Sequence, residues 1–253
     1  LTIELIQVNA YLVNFLILNM NNAKELINNC KNIVFEKKNL PEKMINELFN
    51  IEDKFLRELS DAANEITRVF QGSKIDVEQL ANIKKNYCSE DCTFCSQSAF
   101  FDTGIDKYQL MTPEEVVRQA TDAKNAGAHS YCLVAAWREP SEMDFEQVCR
   151  IIEEVNEKVG ISIECSLGFL TAQQAKKLKE LGVIRYNHNL ETSESKFPEI
   201  CTTHTYQDRI DTLHIARKAG LELCTGGIIG MGETRNQREE LVHAIGKLNP
   251  EEV

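Results

Sequence analysis

The sequence lacks a stripe of lysine and arginine, and it lacks a hydrophobic run long enough to cross a membrane. Its 253 residues carry a net charge of −11, which disfavours a nucleic-acid-binding face. The one candidate span, Ala10–Met20, is interrupted by Asn14 and Asn19 and is too short for a bilayer. We therefore expect small-molecule partners, no nucleic acid and no membrane.

A secretory leader is also missing, since no basic start is followed by an apolar core and a cleavage site. Nine cysteines in a small secreted protein would indicate disulfides, but this chain is large. We expect free thiols in a reducing cytoplasm.

The N-terminal part of the chain has the pattern of helices. The first methionine is Met20, so residues 1–19 are a possible upstream extension, to which we assign no function. Residues 20–72 are predicted to be helical because their apolar residues recur at helical spacing, with a break at Pro41 and a stop at Gly72. Residues 73–253 form the second predicted domain.

From about Ile83 onward, a unit repeats: a short β-prone run, a loop, an amphipathic helix and a glycine. Thr112 followed by Pro113 is a strong helix start, with a hydroxyl cap and a proline at the first helical position. The later strands are predicted at Ser130–Ala136, Ile161–Leu167, Val183–Leu190 and Leu221–Gly230, and the later helices at Phe145–Val159, Ala172–Leu181 and Tyr206–Ala219.

This alternation of strands and helices predicts an α/β fold with a parallel sheet, of the (β/α) TIM-barrel type. We count five strands up to Gly230, whereas an eight-stranded barrel would need about 80 further residues. The predicted barrel is therefore incomplete at the C-terminus of this chain.

Three cysteines close together give the strongest chemical signal. Cys88, Cys92 and Cys95 lie in a Cys-x3-Cys-x2-Cys pattern within the segment NYCSEDCTFCSQSA. Thiolates hold iron–sulfur clusters, and three ligands on a four-iron cluster leave one iron open to a group that is not protein.

Two other interpretations of these cysteines are open. Structural zinc usually takes four ligands in two short pairs, and no second Cys-x2-Cys or histidine pair follows. Buried cysteines can also pack as small hydrophobic residues, but Ser89, Glu90 and Asp91 make the segment polar. An iron–sulfur cluster is the interpretation that fits the spacing best.

Six ordered motifs extend this signal from about Ala62 to Val253. They are ANEITRVF, NYCSEDCTFCSQSA, YCLVAAW, YNHNLETS, CTTHTYQDRIDTL and AGLELCTGGIIGMGET. In this order the motifs resemble the radical S-adenosylmethionine (SAM) superfamily and, within it, the biotin synthase family. The resemblance implies a four-iron cluster on Cys88, Cys92 and Cys95 whose open iron takes the amino and carboxylate groups of SAM, so that one electron releases a 5′-deoxyadenosyl radical.

The resemblance also assigns residues that contact SAM. Phe94 and Ile228 match positions beside the adenine, and Ala135 matches the stretch whose backbone receives the methionyl amine. Arg209 matches the arginine that pairs with the methionyl carboxylate. Asn189 and Glu191 match positions that hydrogen-bond ribose hydroxyls and substrate, although the family usually has aspartate at the second position. Alternation on a strand predicts that Asn189 and Glu191 point the same way and that His188 points to the opposite face.

The family is further expected to carry an auxiliary two-iron cluster that gives up sulfide to the substrate. Cys132 and Cys224 match two of its ligands. The third does not align: Glu164 stands at that position, and Cys165 follows one residue later. Because a one-residue slip turns a side chain to the other face, either a bulge returns Cys165 to the interior or the auxiliary cluster is altered or absent.

These motifs lead to three hypotheses. The first is sulfur insertion into dethiobiotin to form biotin, for which the resemblance implies a flavodoxin or ferredoxin electron donor and a homodimer. The second is a paralogue with another substrate, such as a hydrogenase-cofactor maturase, which Glu164 supports. The third is a non-catalytic truncated product or a simple metal-binding module, which the missing strands suggest.

Overall fold

The computed structural model describes residues 22–253 of the chain. It contains two compact units, one ending at Ile75 and one running from Asp76 to Val253. The expectations for residues 1–19 and for the apolar stretch Ala10–Met20 lie outside the described residues. None of the helices from residue 22 onward combines the length and hydropathy of a membrane span.

The first unit is helical. Its helices are α1 (residues 22–35), α2 (Glu42–Phe49) and α3 (Leu56–Phe70), with a 3-10 turn at Asp53–Phe55. Pro41 occupies the N-cap of α2, where its fixed φ and missing N–H are tolerated. Ile27, Ile51, Phe55 and Ala62 form a small apolar core, so these helices are stabilised by packing of their apolar faces.

The second unit is a β/α repeat with a parallel sheet. The strands are β1 (Glu78–Lys84), β2 (Ser130–Ala135), β3 (Ser162–Ser166), β4 (Arg185–Asn187) and β5 (Glu222–Cys224), and the helices are α4 (Pro113–Asn125), α5 (Glu142–Lys158), α6 (Ala172–Glu180), α7 (Tyr206–Lys218) and α8 (Arg235–Leu248). The strands pair in sequence order, each parallel to the next. A doubly wound sheet would reverse its strand order, so this is a partial barrel of the TIM type, as predicted.

Local sequence explains where the helices begin. Thr112, Thr171, Thr205 and Thr234 each cap a helix, and in each case the residue three positions later bonds back to the threonine N–H. This reciprocal arrangement pairs two backbone groups that would otherwise have no partner. The predicted starts of α4, α6 and α7 are therefore confirmed.

The two sides of the sheet differ in chemistry. Tyr131, Leu133, Ile163 and Leu223 face the helices and are almost completely buried in the main apolar core. The alternate residues on the same strands face the barrel interior, and several of them are polar. This alternation brings the polar residues of neighbouring strands together.

Candidate active site

The three-cysteine loop is held in a compact fold after β1. The Cys95 N–H donates to the Cys92 carbonyl over 3.0 Å, and the Ala99 N–H donates to the Cys88 carbonyl over 2.8 Å. These bonds turn the chain back on itself, so that all three thiols border one cavity. The sequence prediction that these cysteines converge is consistent with this geometry.

The cavity has a volume of about 220 Å³ and lies at the carboxyl ends of the strands. Opposite the thiols, it is lined by Asn189, Glu191 and Arg209. The carboxyl end of the strands is where TIM-barrel enzymes place their active sites. Cysteine thiols, a carboxylate and a guanidinium thus share one concave site.

Arg209 is a buried charged group of the cavity with several partners. It comes from the first turn of α7 and is only 8% exposed. Its Nη1 donates to the Asn189 carbonyl over 2.8 Å and lies 3.4 Å from Glu191 Oε1, and its Nη2 lies 3.9 Å from Cys92 Sγ. Burial raises the pKa of the Cys92 thiol, and the charge of Arg209 opposes this rise. Burial raises the pKa of Glu191, and the charge of Arg209 opposes this rise.

His204 and Glu90 form a network that sequence reasoning missed. His204 Nε2 accepts from Arg209 Nε over 3.0 Å, and His204 Nδ1 donates to Glu90 Oε2. Thr203 Oγ1 and Arg138 Nη1 also donate to Glu90, at 2.6 and 3.1 Å. Burial alone would raise the pKa of Glu90, but these three partners outweigh it and lower the pKa. In the sequence, Glu90 lies between Cys88 and Cys92, and this acidic residue inside the thiol loop is the signal that could have pointed to the network.

The same network bears on the alternative of a single metal ion. In residues 22–253, Cys92, Cys201 and His204 are the one set of three potential ligands whose atoms lie within 4.8 Å of one another. Both ring nitrogens of His204 are already hydrogen-bonded, so neither has a free lone pair for a metal. Among the described residues, Cys88, Cys92 and Cys95 do not form such a set, so the loop does not present three thiols at single-ion spacing.

The glycine segment after β5 lies close to the end of β4. Gly226 N–H donates to Asn189 Oδ1 over 3.1 Å, and Ile228 N–H donates to the Glu191 carbonyl over 2.8 Å. A Cβ atom at Gly227 would approach the Glu191 carbonyl oxygen to 2.8 Å, so only glycine fits there. Glu191 itself has a positive φ of 69°.

The three remaining residues predicted to contact SAM do not all lie in the cavity. Phe94 and Ala135 both line the cavity, whereas Ile228 lies on the glycine segment and is 38% exposed. His188 also borders the cavity, because β4 ends at Asn187 and alternation no longer determines direction after it. His188 is buried, which lowers its pKa, and its Nε2 has no hydrogen-bond partner among the described residues.

A second polar group lies on the interior side of the strands. Cys132 pairs in register with Glu164, Glu164 pairs with Arg185, and Asn187 pairs with Cys224. Asn187 Nδ2 lies 3.4 Å from Cys132 Sγ. Burial raises the pKa of Cys224 to about 11, helped by nearby carboxylates that include Glu164.

Cys165 lies on the other side of β3. It is completely buried in the apolar core between sheet and helices, and the pairing of β2 with β3 has no bulge. Of the two possibilities left open by the sequence, the bulge that would return Cys165 to the interior is not observed.

Comparisons with known proteins show which family the chain belongs to. Residues 82–245 match the family model of the Radical SAM superfamily. The chain is 67% identical over 229 residues to the biotin synthase of Nitrosopumilus maritimus, covering 90% of this chain and 70% of that protein. It is 44% identical to the biotin synthase of Mycolicibacterium paratuberculosis, covering 82% of this chain and 60% of that protein.

Solved structures show the same fold at low identity. Methylornithine synthase aligns with a TM-score of 0.77 at 20% identity, covering 87% of this chain and 65% of that one. A maturase of the [FeFe]-hydrogenase aligns with a TM-score of 0.76 at 20% identity, covering 90% of this chain and 51% of that one.

The chain spans 60–70% of the length of the two biotin synthases named above. Within that span the cysteine loop, Arg209 and the polar strand ends form one site in the structure. The chain belongs to the radical SAM superfamily and, within it, to the biotin synthase family.

Proposed function

We propose that this chain is the cluster-binding and SAM-binding part of an enzyme that inserts sulfur into dethiobiotin to form biotin. The observation that carries the proposal is that the three thiols of one loop share a cavity with Arg209, Asn189 and Glu191. The substrate is taken from the relatives named biotin synthase. Radical chemistry requires an enclosed site that excludes water, and the strands and helices around this cavity form one wall of such a site.

In this proposal the cavity residues divide the work of binding. Cys88, Cys92 and Cys95 would hold a four-iron cluster, which would pass an electron from an external reductant to the sulfonium of SAM. Arg209 pairs with the methionyl carboxylate, a role for which its planar fork of donors is suited. Asn189 and Glu191 hydrogen-bond the ribose hydroxyls. Their anchoring to Arg209 and to the glycine segment fixes the position of the ribose.

Other residues place the remaining parts of SAM. Phe94 lies beside the adenine, and the backbone at Ala135 receives the methionyl amine. In this proposal Ile228 lies along the adenine. Its side chain is exposed, so the backbone of the glycine segment is the part that approaches the adenine closely. Bound SAM would be positioned so that its reactive carbon faces the substrate C–H bond.

Cys132 and Cys224 are proposed to hold the auxiliary two-iron cluster. They lie on β2 and β5, and their side chains project from the interior face of the sheet. Asn187 joins them, since it pairs with Cys224 and its side chain contacts Cys132. Two thiols alone are too few ligands for such a cluster, so further donors are needed.

The broader organisation is proposed on the same basis. Residues 73–253 would be the radical SAM barrel domain, residues 20–72 the N-terminal helical segment and residues 1–19 an upstream extension. Family membership suggests a flavodoxin or ferredoxin electron donor, a homodimer and a cytoplasmic location.

The test is turnover by the anaerobically reconstituted chain with a reductant, SAM and dethiobiotin. We expect 5′-deoxyadenosine whose formation depends on dethiobiotin, and its loss in Cys92→Ser. The matched control is Cys149→Ser, since Cys149 is a buried thiol on α5 far from the loop in sequence. If the iron-loaded chain forms no 5′-deoxyadenosine, the proposal is refuted. If 5′-deoxyadenosine forms only with a different substrate, the paralogue hypothesis is favoured instead.

A further inference from the structure

Glu164 is a carboxylate buried on the interior side of a β-strand. Its side chain is 1% exposed. The residues on either side of it, Ile163 and Cys165, belong to the apolar core between sheet and helices. Since strand residues alternate, Glu164 faces the interior, in register with Cys132 on one neighbour and Arg185 on the other.

Only one oxygen of this carboxylate has a partner. Oε1 accepts from Arg185 Nη1 over 3.0 Å, whereas Oε2 is buried without any hydrogen bond among the described residues. Leaving a buried carboxylate oxygen without a partner is costly. Such an atom calls for a partner from outside the chain, such as an ion, a bound group or water.

Two other buried polar atoms near Glu164 also lack hydrogen-bond partners among the described residues. Asn187 Oδ1 and Arg185 Nε are also buried without partners, although both residues bond through their other polar atoms. These residues connect directly, because Arg185 bonds Glu164 and Asn187 contacts Cys132. Three unsatisfied atoms in one connected group indicate a bound group of several atoms at this position.

The donors in this group are suited to iron. Cys132 and Cys224 offer sulfur, and Glu164 offers oxygen, which iron also accepts. In the described part of the chain these residues do not form a set within the 4.8 Å that a single ion would need.

We propose that Glu164, and not Cys165, is the ligand from β3 to the auxiliary cluster. This inference rests on the proposed function, which places that cluster between Cys132 and Cys224. The iron bound by Glu164 then has an oxygen ligand, so the two irons of the cluster are inequivalent. Arg185 pairs with the Glu164 carboxylate and is shared with Glu222 and Glu252.

The test is iron analysis and Mössbauer spectroscopy of the anaerobically reconstituted chain. We expect about six irons per chain, four in one cluster and two in the other. Glu164→Gln should lose the two-iron signal and keep the four-iron signal, which also reports that the variant has folded. Glu164→Cys should restore two irons with the more nearly equivalent spectrum of thiolate ligation.

Two matched controls make the test specific. Glu222 is the other strand carboxylate bonded to Arg185, at 3.0 Å, but it is half exposed, so Glu222→Gln should keep both clusters. Cys165→Ala should also keep both. Loss of the two-iron signal in Cys165→Ala, its survival in Glu164→Gln, or its absence from the unmodified chain would each overturn the inference. Absence of the four-iron signal would instead overturn the proposed function.

Discussion

Arg209 Nε donates a hydrogen bond to His204 Nε2 over 3.0 Å, and this bond fixes both side chains. Because Nε2 accepts, the ring proton lies on Nδ1 and is donated to Glu90. The guanidinium is thereby turned so that its Nη atoms face the Asn189 carbonyl and Cys92 Sγ. His204 therefore acts as a positioning residue for the arginine that we propose binds the SAM carboxylate.

Replacing His204 should weaken SAM binding. We expect His204→Ala to raise the Kd for SAM about tenfold or more, since a hydrogen bond to a charged group contributes about 1.5–3 kcal/mol. His204→Gln, which can still accept from Arg209 through its amide oxygen, should recover most of the affinity. Equilibrium binding of SAM to the iron-loaded variants measures this. If His204→Ala bound SAM as tightly as the unmodified chain, His204 would have no positioning role.

Cys201 should be dispensable for the four-iron cluster although its Sγ lies 3.7 Å from Cys92 Sγ. It lies in the segment before α7, outside the cysteine loop, and its Sγ is 3.2 Å from His204 Nδ1. We expect Cys201→Ser to keep the four-iron signal and Cys92→Ser to lose it. Visible absorption and iron content of the reconstituted variants decide the point. Loss of iron in Cys201→Ser would make Cys201 a ligand.

Gly227 should not tolerate a side chain. An alanine Cβ would lie 2.7 Å from Leu241 Cδ2 and 2.8 Å from the Glu191 carbonyl oxygen. The backbone must shift, so we expect Gly227→Ala to lower the free energy of unfolding by about 1–3 kcal/mol.

Gly246, on α8, is the matched control for this substitution. Its Cβ would meet nothing within 4 Å. Gly246→Ala should raise the free energy of unfolding by about 0.5–1 kcal/mol, because alanine is the better helix former. Urea denaturation of both variants measures the difference. The close approach of Gly227 to Glu191 would be refuted by two variants with the same stability change.

Stability should decrease as the pH falls below about 6.5. Burial, followed by the charge of Arg209, holds the pKa of His188 well below its ordinary value of about 6.5. The folded state then stays neutral while the unfolded chain takes up a proton. Each such group lowers the free energy of unfolding by up to about 1.4 kcal/mol per pH unit in this range. Burial also lowers the pKa of His204, so its protonation in the unfolded chain decreases stability in the same direction.

This pH dependence is measured as the change in urea midpoint between pH 7.5 and pH 5.5. His188→Gln should reduce the change, because glutamine does not titrate. The same substitution at His214, which is exposed on α7, serves as the control. An unchanged slope in His188→Gln would mean that His188 is charged in the folded protein.

Much of the fold was predictable because its signals are local. Thr112 and Pro113 specify the start of α4 through capping and a fixed φ, and both are found in those roles. The start of β1 was predicted too late, at Ile83 instead of Glu78. Its first residues are polar and exposed, so no alternation marks them.

The ends of the later strands were less predictable. Val183–Leu190 was predicted as a strand, but β4 covers only Arg185–Asn187. The positive φ of Glu191 and the close approach of Gly227 reshape the chain beyond that point, and both depend on contacts between distant segments.

The candidate site also combines features that a local sequence pattern reveals with features that depend on distant contacts. The spacing of Cys88, Cys92 and Cys95 is visible in the sequence, whereas the bonds that join Glu90 to His204 link residues more than one hundred positions apart. The side of the sheet on which Cys165 lies required the register of β2 and β3. Burial and register are tertiary properties that no local pattern determines.

The most direct test of the account is the Mössbauer spectrum of the anaerobically reconstituted chain, recorded with and without SAM. A four-iron signal that changes on addition of SAM, and that is lost in Cys88→Ser, Cys92→Ser and Cys95→Ser, is the predicted result. Zinc without iron, or a four-iron signal that survives all three substitutions, would contradict the assignment of this loop as the cluster site.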